Sequence, residues 1–369
     1  MLLYTMAGTT NTVSDGEQYT VTGKKKPDAA IYSTANLTLA GEGSLSVKGS
    51  YKAGVHTTDG LVIANGTLDV NAAKAGIKGK DYVDIVGGTV KVTAGQDGIK
   101  STNTDDESLG FTRLSAGSVT VSAGDDGLKA PHTLEISGGT LNIEKSNEGI
   151  EAQYINILDG DVTVNSTDDG INASLKDSSS DASSDTTSGT ATTGQQTQQN
   201  QNGQVQQAPA GGGAAPGGSQ GSTGQNQNMP QPPTDGTMPG GGGGTFEVVD
   251  AAINISGGTV TVNAEGDGID SNGTATFSGG TVTVNGPTAG GNNALDSNGD
   301  LLLNGGTVTT GSTADMFEAP SSASTSGYLK ITDSSALTQG STVQVTDSSG
   351  TVVANYKITT SGVQLVLVS

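Results

Sequence analysis

The amino-acid sequence predicts an all-β fold, a parallel β-helix, on three observations. Apolar residues recur in one register, at offsets 0, 2, 7, 9 and 16 of a unit of roughly 22 residues, and a fixed period of that length marks a stacked repeat. Short alternating runs punctuated by Gly-Gly and Asp-Gly fill most of the chain, with nothing at helical spacing. The composition is poor in bulk: of 369 residues 58 are Gly, 3% are aromatic and 32% are hydrophobic, with no Trp and no Cys. Such a chain cannot fill a wide core, but Val, Ile and Leu fill a narrow one.

The units follow one another in order. A loose copy begins near Leu37. Leu61, Ile63, Leu68, Val70 and Ile77 meet the register, then Val83, Ile85, Val90, Val92 and Ile99. The copy at 112–128 opens on Thr112, followed by Leu114, Val119, Val121 and Leu128. Leu134, Ile136, Leu141, Ile143 and Ile150 fit it, as do Ile155, Ile157, Val162, Val164 and Ile171. Ile253, Ile255, Val260, Val262 and Ile269 resume it, and looser copies begin near Ala275 and Leu301, about nine units in all. A propeller blade needs about 40 residues and four strands, and the leucine-rich consensus with its helical segment is absent. Three short alternating strands per unit remain, coil stacked on coil at about 4.8 Å. Glycine pairs at 87–88, 138–139, 257–258, 279–280 and 305–306 mark the corner between the first two strands, where a positive φ is expected.

The register divides the chain. Residues 1–35 read as an N-terminal cap or irregular segment, 36–174 as the first set of coils and 245–320 as the second. Between them, 175–244 is Gln, Gly, Ser, Thr and Pro with almost nothing to bury, the composition of a disordered insertion. Residues 321–369 lose the period but keep alternation, as antiparallel hairpins closing the open end of a stack would.

Charge narrows the partners. A net charge of −21 argues against nucleic acid, whose binding depends on Lys and Arg displacing counterions. No run approaches the roughly 18 apolar residues of a membrane span. The opening "MLLYTMAGTTNTVSDGEQYT" lacks a basic n-region and a full apolar h-region, so no signal peptide is visible. Absence of Cys excludes disulfides, zinc–thiolate sites and thiol catalysis.

One feature of the units carries chemistry. At offset 14 stand Asp97, Asp126, Glu148, Asp169 and Asp267, continued by Asn293 and Asp315. At offset 17 stand Lys78, Lys100, Lys129, Glu151, Asn172, Asp270, Asp296 and Glu318. Stacking sets like positions about 5 Å apart, where unpaired like charges repel by about 1 kcal/mol in water and several-fold more beside a low-dielectric surface. Lys100 and Lys129 can neutralise Asp97 and Asp126, but from Glu148 onward the lysines vanish. Ca²⁺, which takes six to eight oxygen ligands, is the candidate to replace them. Zinc is disfavoured with only His56 and His132 available. The competing reading is an exposed column of ordinary Asp-Gly and Asn-Gly turn residues left in water.

The stretch "AGDDGLKAPHTLEISGGTLNIEKSNEGIEAQYINILDGDVTVNSTDDGINAS", then "GDGIDSNG" and "GGTVTVNGPTAGGNNALDSNG", resembles the carbohydrate-binding family of bacterial β-helix proteins, over about residues 60–320. The resemblance implies a right-handed, single-stranded parallel β-helix of pectate-lyase type. It also implies structural or ligand-linked Ca²⁺, a secreted or cell-surface location, and binding of polymers such as cellulose or polygalacturonate. Its pattern falls here on Asp125, Asp126, Glu148, Glu151, Asp168, Asp169, Asp267, Asp270 and Asp296, with Asn172 completing the second column. "GLKAPH" departs from it, His132 standing where a histidine nearer Lys129 is expected, and "TADMFEAP" is looser than the pattern.

The leading expectation is a non-catalytic, monomeric polysaccharide-binding protein, extracellular or on a bacterial surface. Tyr82, Phe111 and Tyr154 share one outward column beside the first strand and could stack on sugar rings or merely cover neighbouring coils. An acidic polymer would be repelled unless Ca²⁺ bridges carboxylate to carboxylate, whereas a neutral glucan needs no bridge. The alternative is a polysaccharide lyase or hydrolase. A lyase of this fold typically needs a basic residue beside bound uronate; Arg113, the sole arginine, lies on strand one away from the acidic corner, and the better-placed Lys100 and Lys129 are committed to neighbouring carboxylates. Paired carboxylates such as Asp168 and Asp169, with Asp267, could serve an inverting hydrolase. A further alternative is a structural or adhesive surface protein, including an ice binder through the threonine ladders Thr259, Thr281, Thr307 and Thr261, Thr283, Thr309.

Overall fold

The computed structural model describes residues 1–20, 26–175 and 247–369. All regular elements among them are β-strands. Tyr82–Ile85, Thr89–Ala94 and Ile99–Ser101 make one coil, and each strand pairs in parallel with its counterparts in the coils before and after. The pairing register is the register of the sequence. Leu37, Leu61, Val83, Thr112, Leu134, Ile155, Ile253, Ala275 and Leu301 stand side by side along the first strand column. The outcome is an all-β, β-helix-like stack of parallel strands. First and second strands lie in one 18-stranded sheet, and third strands in a separate nine-stranded sheet. In four coils the first two strands run on as one, Thr133–Ser146, Tyr154–Ser166, Thr274–Asn285 and Leu301–Ser312, so that corner is a bend within a strand.

The interior is made by the offset positions. Val83, Ile85, Val90, Val92 and Ile99 are at most 1% exposed, and the same holds for each equivalent set from Leu134 to Ile269. Thr112, the polar exception, is buried too, and its hydroxyl donates to the Lys129 carbonyl at 2.9 Å. A buried hydroxyl with a partner escapes most of the desolvation cost. At the first corner the second glycine of each pair has positive φ, as at Gly88 (+90°) and Gly139 (+81°).

Ile155 pairs with Ile253 and Ile171 with Ile269, so the coils on the two sides of the insertion are consecutive and belong to one compact unit. The expected disordered segment 175–244 lies, apart from Leu175, outside the described residues. Residues 1–35 differ from the expected cap. Leu2–Thr5 and Thr10–Ser14 pair in parallel with Leu37–Gly41 and Ser44–Gly49, and Ala29–Ser33 pairs with Ala53–Thr57. They form one more coil, which the register missed because only Leu3 and Val13 pack against the core from its first two strands. At the other end Leu365–Val368 runs antiparallel to the last coil strand and to Leu329–Thr332, while Thr342–Thr346 and Val352–Lys357 form a hairpin. Tyr356 docks that hairpin on the stack, donating its hydroxyl to Asn285 Oδ1 at 2.9 Å.

The glycine after each offset-14 residue has a different cause from the corner pairs. None of Gly98, Gly127, Gly149, Gly170 and Gly268 is among the positive-φ glycines. A Cβ at Gly149 would sit 2.2 Å from both the Gly170 carbonyl oxygen and Val164 Cγ1. Backbone and valine of the next coil occupy the space, so the Asp-Gly repeat records close packing, not turn chemistry. We expect Gly149→Ala to destabilise the fold by about 1–3 kcal/mol, the range for overpacking. Gly327→Ala, where a Cβ meets nothing within 4 Å, should stay within about 0.5 kcal/mol. Urea midpoints at unchanged slope make the comparison.

Candidate functional site

The third strand column carries the acidic residues on its outward side and on the bend before it. Backbone bonds fix the offset-14 ladder. Gly98 N–H donates to the Asp126 carbonyl (2.8 Å), Gly127 to Glu148 (3.0 Å), Gly149 to Asp169 (3.0 Å), Gly170 to Asp267 (2.8 Å) and Gly268 to Asn293 (2.9 Å). Strand pairing fixes the offset-17 ladder as Tyr32, His56, Lys78, Lys100, Lys129, Glu151, Asn172, Asp270 and Asp296. Both ladders run along one seam. Glu148, Asp169 and Asp267 are therefore neighbours, although 98 residues separate Asp169 from Asp267.

Lysine serves the early coils. Lys100 Nζ lies 2.7 Å from Asp97, and Lys129 Nζ 2.6 Å from Asp126. Lys129 also contacts Glu151 of the following coil, so the lysine supply extends one coil beyond the point where the sequence suggests it ends. Burial pushes the Asp126 carboxyl up, and the Lys129 ammonium and Glu151 carboxylate act on it in opposite senses. Burial alone would lower Lys129, but Asp126 and Glu151 outweigh it and hold the ammonium firmly charged. Asp125 is exposed and joins Asp97 and Asp126 in a group whose carboxylate oxygens lie within 4.8 Å of one another. Asp126, Glu148 and Glu151 form a second such group. Here the ammonium of Lys129 already stands among the carboxylates.

The later coils differ. Asp169, Asp267 and Asp270 bring their oxygens within 4.8 Å of one another, and the charged neighbours acting on them most strongly are further carboxylates, Asp168 and Asp296 among them. Burial is the largest cause raising Asp169 to about 6, Asp267 to about 7 and Asp270 to about 8. It likewise raises Glu148 to about 7. Backbone offsets part of this: Asp267 N–H donates to Asp169 Oδ1 at 2.7 Å, and Asn293 N–H donates to Asp267 Oδ1. Exposed Asp168 leans the same way, since a Cβ at Gly266 would meet Oδ1 of both Asp169 (2.6 Å) and Asp168 (2.7 Å). Asn172, in register with Asp270, keeps its amide oxygen buried and without a hydrogen-bond partner. Asp296 stands one coil on, hydrogen-bonded to Glu318, which burial raises to about 8. Three carboxylates and an orphaned amide oxygen are the donors a hard, oxygen-seeking cation takes, and neither thiol nor imidazole is among them. These acidic clusters could hold a metal ion, and Asp169, Asp267 and Asp270 form the group in which no ammonium of the described residues stands among the carboxylates.

The aromatic column is placed as the register predicts but is not uniform. Tyr82 and Phe111 stack with ring centroids 5.0 Å apart and planes within 5°. Tyr82 also covers Gly60, where a Cβ would come within 2.1 Å of its ring. Tyr154 stands two coils beyond Phe111, with Thr133 between them. Arg113 is tied to Asp84 by two bonds, Nε–Oδ1 at 3.1 Å and Nη2–Oδ2 at 2.8 Å, an ion pair the sequence reading missed although paired strands set these residues side by side. His132 has a buried Nε2 without a partner.

The raised carboxyls set a pH dependence. A carboxyl with a folded pKa above its unfolded value of about 4 binds more protons folded than unfolded. Its contribution to stability is therefore full at low pH and is lost as pH rises through the folded values, here about 6 to 8. Without divalent cations the melting temperature should fall between about pH 5 and pH 8. Calcium should restore it more at the upper end than at the lower, and scanning fluorimetry in chelator and in calcium reads both. Lys129→Met strips the ammonium from Asp126 and Glu151 and should cost about 3 kcal/mol in chelator, as a urea midpoint would show.

Residues 1–196 match the family model described as carbohydrate-binding domain-containing protein. No curated protein matches the chain. A solved structure, the polysaccharide lyase-like protein from C. thermocellum as its gadolinium derivative, is 28% identical over 44% of this chain and 67% of its own, with a TM-score of 0.37. The family match spans more than half the sequence, and the chain belongs to the carbohydrate-binding domain-containing protein family.

Proposed function

We propose that this protein is a non-catalytic, calcium-dependent polysaccharide-binding protein, working as a monomer outside the cell or on a bacterial surface. The observation that carries the calcium dependence is the half-buried triad Asp169, Asp267 and Asp270, crowded by carboxylates where earlier coils hold lysine. A cation held there could also take an oxygen from a polymer, and would let a chain of net charge −21 approach an acidic glycan. The family supplies the ligand class, and polysaccharides of plant cell-wall type are met outside cells. A right-handed, single-stranded course agrees with the strong preference of strand–crossover–parallel strand connections for that hand. The binding reading is favoured over a lyase because the basic residues nearest the acidic corner are engaged, Lys100 by Asp97 and Lys129 by Asp126 and Glu151, while Arg113 is held in a two-bond pair with Asp84.

Affinity electrophoresis in polygalacturonate and pull-down on cellulose, each with calcium and with chelator, test this. Retardation or capture that weakens in chelator is expected. Asp270→Asn should reduce the calcium-induced rise in melting temperature while leaving the fold intact. Absence of any interaction with either polymer in calcium would overturn the reading, and so would absorbance from newly formed unsaturated uronate, which marks a lyase.

A further inference from the structure

One coil is longer than its neighbours. Val83 to Thr112 spans 29 residues, whereas Leu61 to Val83 and Thr112 to Leu134 each span 22. The extra residues precede Phe111 and form a fixed wall. Asn103 is buried at 4% exposure, its Oδ1 accepting the N–H groups of Asp105 (3.0 Å) and Asp106 (3.2 Å) and its Nδ2 donating to Asp81 at 2.8 Å. Asp106 accepts the N–H and hydroxyl of Ser108, and Leu109 N–H donates to the Asp106 carbonyl at 2.9 Å. Gly110 closes the loop at φ +65°, where a Cβ would meet Asn103, Pro131 and His132 at 2.1 to 2.9 Å.

That wall bounds a groove of about 220 Å³ lined by Glu107, Leu109, Phe111, Arg113, Thr133 and Glu135. Phe111 has Tyr82 stacked on it and the Arg113 guanidinium over its ring, 5.4 Å from the centroid, and beside the small Thr133, the next position in its column, the rest of the half-buried ring lines the groove. Two strand spacings from Phe111, about 9.6 Å, stands Tyr154, whose hydroxyl bonds Asp250 and feels the charge of Glu107. An aromatic wall offers the C–H face of a sugar ring a flat apolar partner, while carboxylates accept hydrogen bonds from its hydroxyls. A uronate would instead face Glu107 and Glu135, and the one guanidinium lining the groove, Arg113, is engaged by Asp84.

We propose that this groove is a subsite for a neutral hexopyranose unit of an extended β-linked glycan, which lies against Phe111 with its hydroxyls on Glu107 and Glu135 and needs no calcium. The proposal rests on the polysaccharide-binding reading and assigns to it a site separate from the acidic seam. The Phe111-to-Tyr154 separation suits a second contact one disaccharide along such a chain.

Native gel electrophoresis through soluble hydroxyethylcellulose in chelator tests it on the full chain. The wild type should be retarded, with the apparent affinity reduced about tenfold by Phe111→Ala and several-fold by Glu107→Gln. Glu107 is exposed on the loop, so the second variant stays informative if the first is misfolded. Retardation that neither variant alters, or retardation only by polygalacturonate in calcium, overturns the subsite while leaving the polysaccharide-binding reading in place. No retardation by either polymer with calcium present overturns both.

Discussion

The structure depends on parallel pairing of each coil strand with its copy one coil away. That pairing sets equal offsets about 4.8 Å apart along the stack, so any residue type repeated at one offset becomes a ladder. For apolar residues the ladder is the core. For amides it is a hydrogen-bonded chain: Asn263 Nδ2 donates to Asn165 Oδ1 (2.9 Å), Asn285 Nδ2 to Asn263 Oδ1 (2.8 Å), and the Tyr356 hydroxyl to Asn285 Oδ1 (2.9 Å). For carboxylates the same geometry imposes repulsion, which grows as the groups are buried.

The seam meets that repulsion differently along its length. Lys100 and Lys129 place ammonium groups between the early carboxylates. Beyond them, backbone N–H groups of the next coil bond Asp169 and Asp267, yet burial still pushes the triad toward neutrality. Two states can satisfy it near neutral pH, shared protons or a bound cation. They have opposite pH dependences, since protons leave as pH rises while a cation binds the deprotonated ligands more tightly. The lysines of the early coils thus occupy the electrostatic role that the proposed cation would fill in the later ones.

Much of this was legible in the sequence, because a ladder fold writes its register as a period. Leu61, Val83, Leu134, Ile155 and Ile253 align in the chain as they do in space, and the acidic columns followed without coordinates. What was hidden depended on contacts between coils. The Asp-Gly repeat looks like turn chemistry, but Gly149 is needed because Val164 and Gly170 of the next coil fill the space. The reach of Lys129 to Glu151 depends on side-chain conformation, which spacing does not encode. The first coil escaped notice because "LLYT" and "TNTVS" offer few apolar residues to the interior. The long coil before Phe111 shows as a break in the period, but that it builds a wall emerges only from the bonds of Asn103.

The most direct test is anomalous scattering from a crystal grown in calcium near neutral pH. A peak is expected enclosed by Asp169, Asp267, Asp270 and the Asn172 amide oxygen, with oxygen ligands at about 2.3–2.6 Å. Ordered water alone at that place, with the three carboxyls paired through protons at saturating calcium, would contradict it.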